Sequence, residues 1–284
     1  MGYVSFRGVS TQNLNNVYVQ MMPSHKKAGK RMTEYRVKGR DGVLHTDEGF
    51  DNFDITIRLV MINAPAQTRQ IINAWADGTG KLISSDDLSR CWRATVSDEI
   101  EYNRVEAATI APPAFLTTKP YYINDYVTYA GMVYKFKANH AAGNWNASQV
   151  DPQPWKIDGL YDTAEITFDC QPHMYESVES SVVFTQGGSI TNPGTDVSLP
   201  LIKVEGSGTC DFRIGTTEEY YIIIYDVESG VPVYIDCETG YVYTASGAKE
   251  MVGNFPLLKM GENPVVFGQN GLTKLTITPR WRWV

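Results

Sequence analysis

The sequence predicts a mainly β protein of two larger domains, with a small aromatic-rich β module set into the first. Three observations predict this. Short segments of alternating apolar and polar residues recur along the chain, the pattern of half-buried antiparallel strands. The composition is 12% aromatic, with 17 tyrosines, and only 20% charged, which suits twisted sheets and interfaces better than helical bundles. At 284 residues the chain also exceeds one typical core, so two or three domains are expected.

The alternating segments come first at residues 16–20 (NVYVQ), 54–60 (DITIRLV), 93–96 (RATV) and 164–168 (AEITF). One stretch reads as a helix. Pro65 opens it, Ile71, Ile72 and Trp75 give the apolar spacing, and Asp77 with Gly78 ends it. The first domain is therefore expected to be sheet with one packing helix. After Tyr175 the texture changes. Residues 187–194 (GGSITNPG) are rich in turn formers and read as a linker or domain entry. Beyond them, strands at 220–225 (YYIIIY) and 241–243 (YVY) alternate with Gly-containing turns at 228–230, 238–240 and 269–271. Strands at this spacing predict a β-sandwich of roughly one hundred residues.

The insert lies between these parts. Residues 120–158 hold eight aromatics in 39 positions (Tyr121, Tyr122, Tyr126, Tyr129, Tyr134, Phe136, Trp145, Trp155), well above the frequency in the whole chain. So short a segment buries little apolar area alone, and it has no Cys to staple it, so several of these rings must form its core. The strand pattern resumes at 162–168, which makes the segment an insertion. The expected domains are 1–118 plus 159–178, the inserted module 119–158, and 179–284.

Charge and motifs exclude several functions. A net charge of −7 argues against a nucleic-acid partner, since phosphate binding needs a concentrated cationic face. Residues 25–31 (HKKAGKR) are the local exception, read as a solvated loop or as one that meets an acidic surface on a partner subunit. Cys91, Cys170, Cys210 and Cys237 lie far apart without CxxC spacing, so neither structural zinc nor a disulfide framework is expected. The N-terminus lacks an apolar signal region and no run approaches a membrane span, so synthesis in a reducing cytoplasm is expected. His25, His45, His140 and His173 are isolated. No GxSxG, P-loop or dinucleotide fingerprint is present. Ser84, Ser85, Asp86 and Asp87 read as a turn or cap, and residues 206–208 (GSG) as a turn or bulge. Asp236 and Glu238 flank a hairpin turn, which favours a turn role over a glycosidase pair. No enzyme, metal or cofactor is expected.

Two resemblances then give the chain a function. Residues 37–45 (VKGRDGVLH) followed by the strand 55–60, Ala74 and Trp75, Lys81 to Ile83 with Asp86, and 168–172 (FDCQP) with Tyr175 resemble the first domain of siphophage distal tail proteins. Residues 192–194, 199–206, 234–237, 255–258, 261–263 and 277–280 resemble that family's second domain in order and spacing. The resemblance implies an N-terminal ring-forming domain, a C-terminal galectin-like β-sandwich, and a homo-hexamer at the virion tail tip that joins the tail tube protein to the tail-tip proteins. A galectin-like fold does not itself imply sugar binding.

The insert resembles something else. Tyr122, Asn124, Asp125, Val127, Gly131, Tyr134, Pro154 and Trp155 are similar to the small chitin-binding-type carbohydrate-binding modules of families 5 and 12. Those modules carry tandem Trp where this chain has Ala138, Asn139 and His140. The sugar face has then moved to Trp145, or the ligand differs from chitin, or binding is lost. A sugar ring offers a C–H face for an aromatic plane and hydroxyls that need polar partners. Trp145, Tyr122, Tyr134, His140, Trp155 and Asn139 are the candidate contacts. The blander reading makes Tyr134 and Trp155 module core and His140 a surface histidine. The expected role is a structural baseplate hub whose module aids adhesion to bacterial cell-wall saccharide. The alternatives are another baseplate or receptor-binding component, for which trimers are common, and a cell-wall hydrolase, which lacks a catalytic constellation.

Overall fold

The structure, a computed structural model, describes residues 2–14, 16–24, 26–39, 41–62, 67–105, 112–153, 161–216 and 220–284. His25, Arg40, Pro65, Pro154 and Trp155, used in the sequence reading, lie outside the described residues. The fold is mainly β, and the chain divides into two units, Met1–Pro172 and His173–Val284.

The first unit opens with β1 (Val4–Phe6), β2 (Val9–Ser10), β3 (Val17–Met21), β4 (Lys30–Tyr35), β5 (Leu44–Phe50) and β6 (Phe53–Ile62). Helix α1 (Gln67–Trp75) follows, then β7 (Gly78–Ser84), β8 (Asp87–Val96) and β9 (Glu101–Val105). Next come β10 (Tyr126–Tyr129), β11 (Met132–Phe136), β12 (Val150–Gln153) and the long β13 (Tyr161–Glu176), whose last residues belong to the second unit. The main sheet runs β2-β1-β7-β8-β13-β6-β3, with β9 also paired to β13.

Its centre shows why alternation makes a sheet here. β6 and β13 pair antiparallel, placing Ile55 opposite Phe168, Ile57 opposite Ile166 and Leu59 opposite Ala164. All six are buried, so one face of the ribbon is apolar throughout. The intervening pairs take the other face: the Thr56 and Thr167 hydroxyls meet at 3.1 Å, and Arg58 pairs with Glu165. Helix α1 buries Thr68, Ile72 and Trp75. Trp75 stands edge-on to Phe6 and Phe168, and its indole N–H donates to the Val9 carbonyl at 2.8 Å. The expected apolar face is corrected at Ile71, which is 52% exposed. The buried Thr68, Ile72 and Trp75 are spaced i, i+4 and i+7, which leaves Ile71 at the margin of that stripe. Ser84, the last residue of β7, and Ser85 serve the turn into β8. Ser84 Oγ accepts from the Asp86 N–H at 3.3 Å and Ser85 Oγ from the Tyr3 N–H at 3.0 Å.

The second unit holds β14 (Val182–Phe184), β15 (Gly188–Asn192), β16 (Leu201–Gly206), β17 (Gly208–Ile214), β18 (Tyr221–Val227) and β19 (Val233–Asp236). It ends with β20 (Tyr241–Thr244), β21 (Gly247–Ala248), β22 (Gly261–Phe267) and β23 (Leu272–Thr278). They form two sheets, β14-β23-β16-β19-β20-β21 and β15-β22-β17-β18. One core joins them: Ile202, Val204, Ile235 and Ile277 from the first meet Phe212, Ile214, Ile222 and Val265 from the second. This is a two-sheet β-sandwich. Register shifts at Glu205/Gly206 and Gly208/Cys210 place bulges where residues 206–208 were read as a turn or bulge.

The linker reading of residues 187–194 is corrected. Residues 188–192 are β15, paired with β22, and Ile190 and Asn192 are buried. Turn-forming composition was overridden by tertiary contacts. Asn192 donates to the carbonyls of Asp196 and Leu258 at 3.0 and 2.9 Å, and Gly188 admits the Phe184 ring.

Candidate functional site

The inserted segment folds as its own antiparallel sheet, β10-β11-β12. Alternation divides its residues between two faces. Tyr126 and Val133 point one way and pack with Val60 of β6 and Tyr18 of β3. Val127, Phe136 and Val150 point the other way, under Tyr121, Phe115, Tyr134 and Trp145. A sheet this small is held by burying both faces, one against the larger sheet and one under its own rings.

Those rings form a continuous cluster. Tyr121 lies flat on Phe136, with centroids 4.8 Å apart and planes 4° apart, and Phe115 stacks on Tyr121 at 5.1 Å. Trp145 stacks on Tyr129 at 4.1 Å and 12° and takes Tyr134 edge-on at 4.8 Å. Trp145 and Tyr134 are half-buried and Tyr129 is exposed, so this end of the cluster meets solvent. The loop carrying Trp145 is fixed at its far side, where Asn146 Oδ1 caps the Ser148 N–H at 3.0 Å.

His140 belongs to the interior of this cluster, which corrects its reading as a surface histidine. It is 7% exposed. Its Nδ1 lies 2.5 Å from Gln149 Oε1. An amide oxygen only accepts, so Nδ1 carries the proton. Nε2 is buried without a hydrogen-bond partner among the described residues. The ring lies among Phe115, Tyr121 and Phe136. The structure thus gathers Trp145, Tyr134 and His140. Asn139 is exposed, and its Oδ1 accepts from the Ile123 N–H at 3.2 Å, tying two loops together. Tyr122 is half-buried, and its backbone N–H donates to Asp125 Oδ2 at 2.8 Å.

Phe115, Tyr121, Tyr129 and Phe136 of the cluster are not among the candidate contacts expected from sequence. Tyr129 was legible, because it alternates in phase with Val127. Phe115 precedes the expected start of the module at Lys119, and it is tied there by its packing and by its backbone N–H, which donates to the Thr128 carbonyl at 2.9 Å.

The seam between the small sheet and the larger one is polar as well as apolar. The Tyr126 N–H donates to the Tyr18 hydroxyl at 3.4 Å. Burial pushes Asp125 and Tyr121 above their ordinary values and Lys119 below its own, with Asp125 and Lys119 attracting each other. Burial likewise raises Tyr18. Small clefts of about 30 and 20 Å³ line this seam, each with room for about one water.

Elsewhere the chemistry is structural. Asp236 accepts from Arg280 at 2.6 Å, and Glu238 accepts from Arg280 and Arg282, both at 3.2 Å. The two carboxylates are thus held by guanidinium groups, which opposes an acid–base role. Cys91, Cys170, Cys210 and Cys237 are buried free thiols. Among the described residues no group of three or more His, Cys, Asp or Glu side chains could hold a metal ion.

Comparison with known proteins places this architecture. No family model and no curated protein matches the chain. Among solved structures, the Dit protein of phage SPP1, described as a hub of the adsorption apparatus in phages infecting Gram-positive bacteria, superposes with a TM-score of 0.63. The match covers 98% of each chain at 11% identity. This chain has a Dit-like fold. The baseplate of phage P2 in its activated conformation with Ca is a more distant likeness, at TM-score 0.43, 8% identity and 99% and 98% coverage. The likeness to the SPP1 protein extends over nearly the whole chain.

Proposed function

We propose that the protein is a structural baseplate hub of a siphophage tail, with a non-enzymatic role. Six copies form a ring that joins the tail tube to the tail-tip proteins, and the chain is made in the host cytoplasm before incorporation into the virion. The likeness to the SPP1 Dit protein over 98% of both chains is the observation that carries this reading. In it, residues 1–118 with 159–178 build the ring and residues 179–284 form a galectin-like sandwich.

A second feature supports assembly. Among the described residues β4 and β5 pair only with each other, and Met32, Tyr35 and Leu44 on them are exposed. A lone two-stranded ribbon is marginal in water, so a neighbouring subunit is its natural cover. Light scattering and electron microscopy of the purified chain, alone and with tail tube and tail-tip proteins, test the ring. Monomer under every condition overturns it.

The inserted module, residues 119–158, then serves adhesion to a saccharide of the bacterial cell wall. Trp145, Tyr134 and the exposed Tyr129 supply aromatic faces, with Asn139 among the neighbouring polar groups. Six weak sites on one ring would gain about 10²–10⁴ in avidity through effective concentration. Retention of the ring on host cell walls, for the native chain and for Trp145→Ala, is the test. Equal retention overturns adhesion and leaves the hub reading intact.

A further inference from the structure

On the outer face of the sheet β14-β23-β16-β19-β20-β21, three tyrosines form a stack. Tyr234 and Tyr243 are directly opposed across β19 and β20, with centroids 5.3 Å apart and planes at 16°. Tyr243 stacks in turn on Tyr241 at 5.7 Å and 17°. Alternation dictates the arrangement, since Val233, Ile235 and Val242 fill the sandwich core and their neighbours must point outward. Tyr243 has a ring on each side. Tyr241 ends the stack and is 49% exposed.

A charged network adjoins that open end. Asp236 stands directly opposite Tyr241 in the strand register. It is held by Arg280, which also reaches Glu238, and Glu238 is shared with Arg282. Glu179 also acts on Arg280, so three carboxylates face two guanidinium groups and the network does not favour an anionic ligand. Paired forks of this kind present donors and acceptors in fixed directions. A sugar ring requires both features together: a flat aromatic face for its C–H surface and fixed polar groups for its hydroxyls.

We propose that the exposed face of Tyr241, with the adjoining Asp236–Arg280–Glu238 network, is a saccharide-binding site for an uncharged sugar. The sugar ring continues the tyrosine stack. This site lies wholly in the second unit and is independent of the adhesion reading for the inserted module.

The test uses the full-length chain carrying Trp145→Ala, so that the module's own contribution is cut at least tenfold. Mobility is measured in native gels containing dextran, galactan or soluble chitin oligomers, with poly(glycerol phosphate) as the anionic control. Retardation by at least one neutral polymer is expected, weakened at least tenfold by adding Tyr241→Ala and kept within about twofold by Tyr241→Phe. The melting temperature is recorded for each variant. If Tyr241→Ala unfolds the chain, hydrogen exchange at residues 234–243 with and without the retarding polymer replaces it, and protection there is the supporting result. No retardation by any neutral polymer overturns the proposal, as does retardation insensitive to Tyr241 or retardation by the anionic control alone. Concentration-dependent association of the chain that Tyr241→Ala abolishes would instead make this face a contact between copies, and also overturns it.

Discussion

Trp145 and Tyr129 lie face to face, 4.1 Å between ring centroids and 12° between planes, and the pair closes the solvent side of the inserted sheet. Tyr129 orients Trp145 from one side while Tyr134 and Phe115 meet its edge. The indole is thereby held before any ligand arrives, which spares part of the ordering cost of binding.

A difference between two variants follows. Trp145→Ala removes the platform and should lower retention on host cell walls at least tenfold. Tyr129→Ala removes only its support. Stacked aromatic pairs contribute about 0.5–1.5 kcal/mol beyond burial, so a loss of about threefold to tenfold is expected. Unequal losses in this order support the assigned roles; a larger effect at Tyr129 reverses them.

His140 should be a stability residue of the module. His140→Ala removes the Gln149 hydrogen bond and opens space among Phe115, Tyr121 and Phe136. A cost of about 2–4 kcal/mol is expected from the cavity and the unpaired amide. Amide exchange in β11 and β12 should accelerate by about two orders of magnitude. Unchanged exchange in these strands would refute the structural role.

Much of this was legible in the sequence, and the failures have causes. Strands β6 and β13 follow from two alternating segments with apolar residues on one side, whereas their pairing with each other is set by the fold. His140 misled because its neighbours are polar or small, whereas its burial comes from rings at positions 115, 121 and 136. Phe115 was hidden for a similar reason, since it lies outside the aromatic-dense window and joins the cluster only through folding. Residues 188–192 read as linker because Gly188 and Asn192, with Pro193 and Gly194 just beyond, disfavour strands locally. The partner strand β22 and the buried Asn192 side chain decide otherwise. Such contacts have no local signal.

The ribbon β4–β5 supplies a prediction about assembly. Tyr35 and Leu44 are direct cross-strand partners, both exposed. Replacing both with Glu should leave the melting temperature of the isolated chain within about 2 °C, because surface substitutions seldom exceed about 0.5 kcal/mol. Ring formation should fail, because two charges per copy would be buried at each contact. Rings of normal yield would remove this ribbon from the interface.

Gly271 closes the turn after β22 with φ +45, and a Cβ there would collide with the Ser207 carbonyl oxygen. The backbone opposite is part of a bulged turn and cannot step aside cheaply. Gly271→Ala should therefore destabilise the second unit by about 2–4 kcal/mol. Denaturant unfolding read from that unit is the measurement, and a loss under about 1 kcal/mol counts against the turn geometry.

Asp162 and Asp125 should respond to pH with opposite sign. Burial alone would raise Asp162, but hydrogen bonds from Arg104 and Arg69 hold it below the ordinary carboxylate value. A carboxylate depressed in the folded state adds stability that is present above its unfolded value, about 4, and lost as pH falls through the folded one. Asp162→Asn should cost about 1–2 kcal/mol at neutral pH, discounted because both arginines are well exposed. That difference should shrink on acidification. Burial raises Asp125, so the folded chain takes up its proton first, and stability at this site grows as pH falls through the raised value towards about 4. Asp125→Asn removes that gain. Thermal midpoints of the native chain minus each variant, followed from neutral pH into the acid range below about pH 4, should rise for Asp125 above that value and fall for Asp162 below it. Parallel curves would refute the opposed assignments.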